Sequence, residues 1–233
     1  MHPAIGFASG CFTATDYDLA LSINDAHGGT AFELGCYQTA WLSQAESWAR
    51  RVPPGRIPLM SVHTPRFTAR QEPRVADILG SLGLPMIVHA DRVGNPALWR
   101  LYGPATVIEN IADPARFGST AESLDTVFAR LPEASFCLDV SHAFGAGGPD
   151  LVRELARRYR DRLTQLHVGC VGVPVWPGDP LPADAALVRS AWDSADKEVP
   201  VIVERPFPEV GVSEAARCDS LDAIRRTLSA VRP

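Results

Sequence analysis

Ser135-Phe136-Cys137-Leu138-Asp139-Val140-Ser141-His142 sets the reading of the whole chain. Its first five residues are apolar nearly throughout and do not alternate, as in a strand buried on both faces of a parallel sheet. The run closes on an acid, and a histidine follows three residues later. Outward from it, similar short runs occupy 5–8, 31–34, 59–63, 86–89, 106–109, 164–167 and 199–204. Helical patterns fill the intervals. Ser119-Thr120-Ala121-Glu122 reads as a capping box, with Ser119 at the N-cap and Glu122 reaching back. Leu124, Val127, Phe128 and Leu131 then form a core-facing stripe at i, i+3, i+4 and i+7. Residues 150–158 and 220–231 behave similarly. A helix after Gln38 carries Trp41, Leu42, Ala45 and Trp48 on one face, where they serve packing.

Eight strands alternating with helices give either a closed barrel or an open doubly wound sheet. From the second run onward, the runs end at residues 34, 63, 89, 109, 139, 167 and 204. Steps of 20 to 37 residues between them suit eight β/α units. No Gly-x-Gly-x-x-Gly follows the first run, which disfavours a dinucleotide-binding fold. The expected fold is therefore a (β/α)8 TIM barrel, one α/β domain over residues 1–233. The Pro- and Gly-rich stretch 174–182 lies inside one β-to-α connection and reads as a long active-site loop.

Bulk properties agree with this. The chain has 233 residues, 46% hydrophobic and 21% charged, enough for one sizeable core. No run of 18 apolar residues spans a membrane, and no secretory signal is visible at Met1-His2-Pro3-Ala4. Five scattered cysteines, never spaced as CxxC, give neither a disulfide framework nor a zinc ribbon; they read as reduced thiols of a cytoplasmic protein. A formal charge of −5 supplies no global field for nucleic acid, so a nucleic-acid partner is not favoured. A homo-oligomer is compatible with the sequence. Lys197 is the only lysine, and its polar surroundings suit a solvated face better than a Schiff base.

The chemistry lies at the ends of the runs. His63, His89 and His167 close three of them, and His142 follows Asp139. Glu109, Asp139 and Glu204 close three more. In a TIM barrel all strand C-termini meet on one face, where active sites are built. Three carboxylates crowded there require a counter-charge. A mixed imidazole and carboxylate set suits one or two ions of zinc, manganese, iron or cobalt better than calcium.

These residues resemble a known group. Val107-Ile108-Glu109-Asn110, Cys137-Leu138-Asp139-Val140-Ser141-His142-Ala143-Phe144, Leu166-His167-Val168 and Val203-Glu204 are similar to the xylose isomerase-like barrel superfamily. That group includes the sugar isomerases and epimerases and the endonuclease IV-like AP endonuclease family 2. The Asp139-x-x-His142 block is most similar to endonuclease IV. In the epimerase branch the resemblance implies one metal on Glu109, Asp139, His167 and Glu204, with Glu109 and Glu204 doubling as acid/base groups. In the endonuclease branch it implies a second metal on His63 and His89, bridged by Glu109, and a third involving His142. The loop Gly178-Asp179-Pro180-Leu181 lacks the histidine of that third site.

The first functional expectation is a sugar or sugar-phosphate isomerase or epimerase. It needs a base near the reacting carbon and a cation on the developing enolate oxygen. The second is a dinuclear phosphodiester hydrolase, which His63 and His89 favour. Arg66, Arg70, Arg74 and Arg92 are its candidate phosphate contacts. Oxidative chemistry on iron is a third. Phe12, Phe144, Trp176 and Arg205 are candidate substrate contacts on the loops, alongside Tyr37, Phe67, Trp99 and Phe207.

Overall fold

A computed structural model describes residues 4–53, 55–168, 182–195 and 199–204. Its eight strands are β1 (Ile5–Ala8), β2 (Ala31–Gly35), β3 (Leu59–His63), β4 (Met86–His89), β5 (Thr106–Glu109), β6 (Ser135–Asp139), β7 (Leu163–Val168) and β8 (Val201–Val203). Each pairs in parallel with the next, and β1 pairs with β8, so the sheet closes into a barrel. The α-helices are α1 (Tyr17–Ala26), α2 (Leu42–Arg51), α3 (Glu72–Gly80), α4 (Pro96–Trp99), α5 (Ala121–Arg130), α6 (Val140–Arg158) and α7 (Pro182–Ser194). The expected barrel and all eight runs are present, with ends shifted by at most two residues.

The strands are apolar on both sides because two different cores use them. Phe32, Leu34, Val62, Val88, Ile108, Phe136 and Leu138 join the large cluster with the helices. Ile87, Val107 and Cys137 form a separate small cluster. They sit two residues before His89, Glu109 and Asp139, and successive strand side chains alternate sides. The small cluster therefore fills the barrel interior directly beneath those tips. Glu33, Ser61 and Gln165 occupy the corresponding places on β2, β3 and β7, and all three are buried. The layer below the tips is thus apolar on β4, β5 and β6 and polar on β2, β3 and β7.

Two local expectations change. Thr120, not Ser119, caps α5: its hydroxyl accepts from Ser123 N, and the Ser123 side chain returns to the Thr120 N–H. Ser119 is buried and donates to the Arg116 carbonyl at 2.7 Å, so the box starts one residue later and uses Ser123 in place of Glu122. The helix expected at 150–158 begins at Val140 and is kinked at Gly147 and Gly148, just before Pro149. The expected helix at 220–231, the loop residues through 181 and Lys197 lie outside the described residues.

Candidate metal centre

The strand tips meet as expected. Asp139 ends β6 and caps α6, its Oδ1 accepting from His142 N at 2.7 Å. This places His142 in the first helical turn, over the site, and explains the Asp-x-x-His spacing. Asn110 locks the same corner. Its side chain bonds both the Asp139 N–H (2.9 Å) and carbonyl (3.0 Å), while its own carbonyl lies 3.0 Å from His142 Nδ1.

Glu109 lies fully buried at the centre. Its Oε2 is 3.1 Å from His63 Nε2 and 3.3 Å from His89 Nε2. Its Oε1 is 3.3 Å from His167 Nδ1 and 3.5 Å from His142 Nδ1. Glu204 follows β8, with Oε2 2.8 Å from His167 Nδ1 and Oε1 3.8 Å from His63 Nε2. His63 Nδ1 sits 2.8 Å from the Thr64 carbonyl; a proton held there leaves Nε2 turned to the site. All seven expected ligand-type residues thus converge.

Two of the sets expected from sequence have ligand atoms within 4.8 Å of one another: Glu109, Asp139, His167 and Glu204, and His63, His89 and Glu109. A third set, Glu33, His63 and Glu204, was not expected. Glu33 was missed because it stands mid-strand rather than at a tip. The usable signal was an acid inside the apolar run Ala31-Phe32-Glu33-Leu34: charge there has no place against the helices and must face the barrel interior.

The electrostatics follow from this crowding. Burial disfavours charge on every group, yet opposite charges win for most. Burial opposes ionisation of Glu204, but His63 and His167 hold its carboxyl at about 2. Burial also opposes ionisation of Glu109, and His89 and His167 bring it well below the usual range. Against burial, Glu204 and Glu109 push His63 up to about 10. His142 and His167 rise similarly, His142 chiefly through Asp139 and His167 through Cys137 and Glu33. Asp139 is raised, first by burial, with Glu109 adding and His142 opposing. The buried acids are thus compensated by protons on imidazoles, a role that a divalent cation fills with fewer groups. Glu33 Oε1 is buried without a hydrogen-bond partner among the described residues, so it too is open to a donor or a cation. Nitrogen and oxygen donors without thiolate fit manganese, cobalt, zinc or iron.

A cavity of about 460 Å³ opens over the centre. His63, His89, Asp139, His142 and Glu204 reach it from below, and Tyr37, Trp41, Arg66 and Arg92 line its sides. Gly10 and Gly35 admit the Tyr37 ring: a Cβ on either would lie 2.2 Å or 2.7 Å from it. Trp41 precedes α2 and is half-buried against the core, so it serves both packing and the cavity wall. Other expected rim aromatics point elsewhere. Phe12 is buried edge-on to Phe7, with ring centroids 4.8 Å apart. Phe144 packs against the core. Phe67 and Trp99 are buried together. Trp176, Arg205 and Phe207 lie outside the described residues.

The fold and the site define an eight-stranded parallel barrel with an acid and imidazole bowl at its strand tips. Among solved structures it is similar to the xylose isomerase-like sugar epimerases. D-allulose 3-epimerase from Methylomonas sp. aligns over 97% of this chain and 98% of its own, with TM-score 0.66 and 14% identity. L-ribulose 3-epimerase aligns over 100% and 99%, with TM-score 0.66 and 12% identity. The IOLI protein, solved with a binding zinc atom, aligns over 98% and 100%, with TM-score 0.62 and 13% identity. At such identities the likeness is one of fold. No protein-family model and no curated protein sequence matches the chain.

Proposed function

We propose that this protein is a divalent-metal-dependent isomerase or epimerase of a sugar or sugar phosphate. The observation that carries the reading is the convergence of Glu109, Asp139, His167 and Glu204, with ligand atoms within 4.8 Å, under a sugar-sized cavity. Those four residues would hold one ion of manganese, cobalt, zinc or iron. When bound, the ion supplies a Lewis acid for a carbonyl and its neighbouring hydroxyl.

The chain's own groups do the rest. Glu204 lines the cavity, with its side chain 17% exposed, and its carboxylate is suited to take the proton from the carbon next to the carbonyl. Glu109 approaches from beneath and is the partner acid/base for the opposite face. His142, with Nδ1 facing inward and its ring on the cavity, is suited to donate to a substrate hydroxyl. Tyr37 and Trp41 offer apolar walls for a sugar face. Arg66 and Arg92 at the sides favour substrates that carry phosphate. Solved relatives in fold act on D-allulose and L-ribulose by their names, which supports the carbohydrate class. The buried free thiols Cys36 and Cys137 are in keeping with a cytoplasmic location. No helix among the described residues is long and apolar enough to cross a membrane.

The test is solvent exchange. Manganese-loaded protein incubated in D2O with a panel of ketoses and ketose phosphates should place deuterium on the epimerised carbon. Glu204→Gln should slow this by at least about 10²-fold while the protein still binds manganese. Unchanged exchange would sink the two-glutamate mechanism.

A second reading, a dinuclear phosphodiester hydrolase, is supported by one observation. Glu109 divides its oxygens between the His63/His89 pair and the His167 side, as a bridging carboxylate would.

A further inference from the structure

Beneath the strand tips lies one acidic side chain that the proposed reaction does not use. Glu33, in the middle of β2, is completely buried. Its Oε2 accepts from Ser61 Oγ at 3.0 Å and from Gln165 Nε2 at 2.7 Å, and lies 3.0 Å from His167 Nε2. A buried acid is costly and is kept where its neighbours require it.

The neighbour that requires it is His167. This ring turns Nδ1 upward, 2.8 Å from Glu204 and 3.3 Å from Glu109, and Nε2 downward to Glu33. An imidazole that offers a bare Nδ1 to a cation must carry its proton on Nε2. Two groups compete at that lower nitrogen. The Gln165 amide nitrogen sits 2.7 Å from it and, as a donor, favours a bare Nε2. Glu33, an acceptor, favours a protonated one. Reversing the Gln165 amide is no escape, because its oxygen would then face Glu33 Oε2 at 2.7 Å, acceptor against acceptor. The amide nitrogen therefore donates one hydrogen to Glu33, and a bare, cation-facing Nδ1 requires the His167 proton on Nε2 to join it on the same oxygen, against the amide's second hydrogen.

We propose that Glu33 is a positioning residue, which holds His167 in the tautomer protonated at Nε2 and so leaves Nδ1 free for a divalent cation. The proposal rests on the metal-centre reading above. It makes Glu33 the partner that sets cation affinity from one layer below the ligands, with no contact to substrate.

Zinc alone, titrated calorimetrically into the metal-free full chain, tests it. Glu33→Gln should weaken zinc binding about 10- to 100-fold relative to the unaltered protein. Gln165→Leu, which removes the competing donor, should bind zinc at least as tightly. The melting temperature of each metal-free variant monitors folding. On the unaltered protein with 15N-labelled histidine, zinc should leave a proton on His167 Nε2 and shift Nδ1 as a coordinated nitrogen. That spectrum decides the matter even if Glu33→Gln fails to fold. Zinc affinity within about twofold of the original in folded Glu33→Gln overturns the role of Glu33 alone, with the metal centre intact. So does a His167 proton on Nδ1, or an equal loss of affinity in Gln165→Leu. Failure of the unaltered chain to bind zinc at all overturns the metal reading and this proposal together.

Discussion

At the scale of single residues, Glu109 is the pivot. Each of its oxygens faces two imidazoles, so it belongs to both candidate ligand sets. This makes His89 the residue that separates the two readings. It approaches Glu109 Oε2 but has no place in the set of Glu109, Asp139, His167 and Glu204. His89→Ala is expected to change epimerase turnover less than about threefold. A two-metal hydrolase losing a ligand would lose at least about 10²-fold, on the usual weight of metal activation. Steady-state kinetics on the ketose panel and on a phosphodiester distinguish the two. The residues legible in sequence share one property: each stands at or just past the end of an apolar run. Glu33 and Gln165 lie inside their runs, where an isolated polar letter looks like an interruption rather than a site. Helix spacing alone accounts for Trp41 as packing; that it also faces a cavity depends on how the loops fold over.

At the scale of elements, side-chain alternation along each strand does most of the positioning. Tip residues and the layer below share a side, so Ile87, Val107 and Cys137 support His89, Glu109 and Asp139. The strands were legible because burial on both faces leaves them apolar throughout. The start of α5 lies one residue beyond the place its sequence suggests, because Ser119, Thr120 and Ser123 all offer hydroxyls and only tertiary burial of Ser119 decides among them. Nothing in the sequence pattern singles out Glu72. It opens α3, is buried, and its Oε1 accepts from Gly94 N, Asn95 N and Trp99 Nε1 at 2.8–3.0 Å. It thereby anchors the segment that follows His89 and carries Arg92. Glu72→Ala is expected to cost about 3 kcal/mol, the upper end for one buried group, since three donors lose their acceptor. Urea unfolding measures it, and Glu72→Gln, which keeps an acceptor oxygen, should recover much of the loss.

At the scale of the whole molecule, the barrel brings together candidate ligand side chains separated by up to 171 residues, Glu33 and Glu204. No local pattern reports such closeness; it came from the inference that eight evenly paced strands close on themselves. The same closure ties ion binding to folding, because the expected ligands come from six strands, β3 to β8, and their flanks. Manganese or zinc at 100 times its dissociation constant should stabilise the fold by about 2.7 kcal/mol, read as a rise in melting temperature that a chelator reverses. A melting temperature indifferent to both would argue that the bowl holds its charge by protons alone.

The most direct measurement is metal content by elemental mass spectrometry, on the chain and on Asp139→Asn/His167→Ala, each incubated with manganese and zinc and then desalted. The expected result is about one ion per chain in the unaltered protein, or about two if His63 and His89 take a second, and a loss of at least one in the variant. An unaltered protein that retains no ion, or a variant that retains as many, would contradict the metal centre on which the account rests.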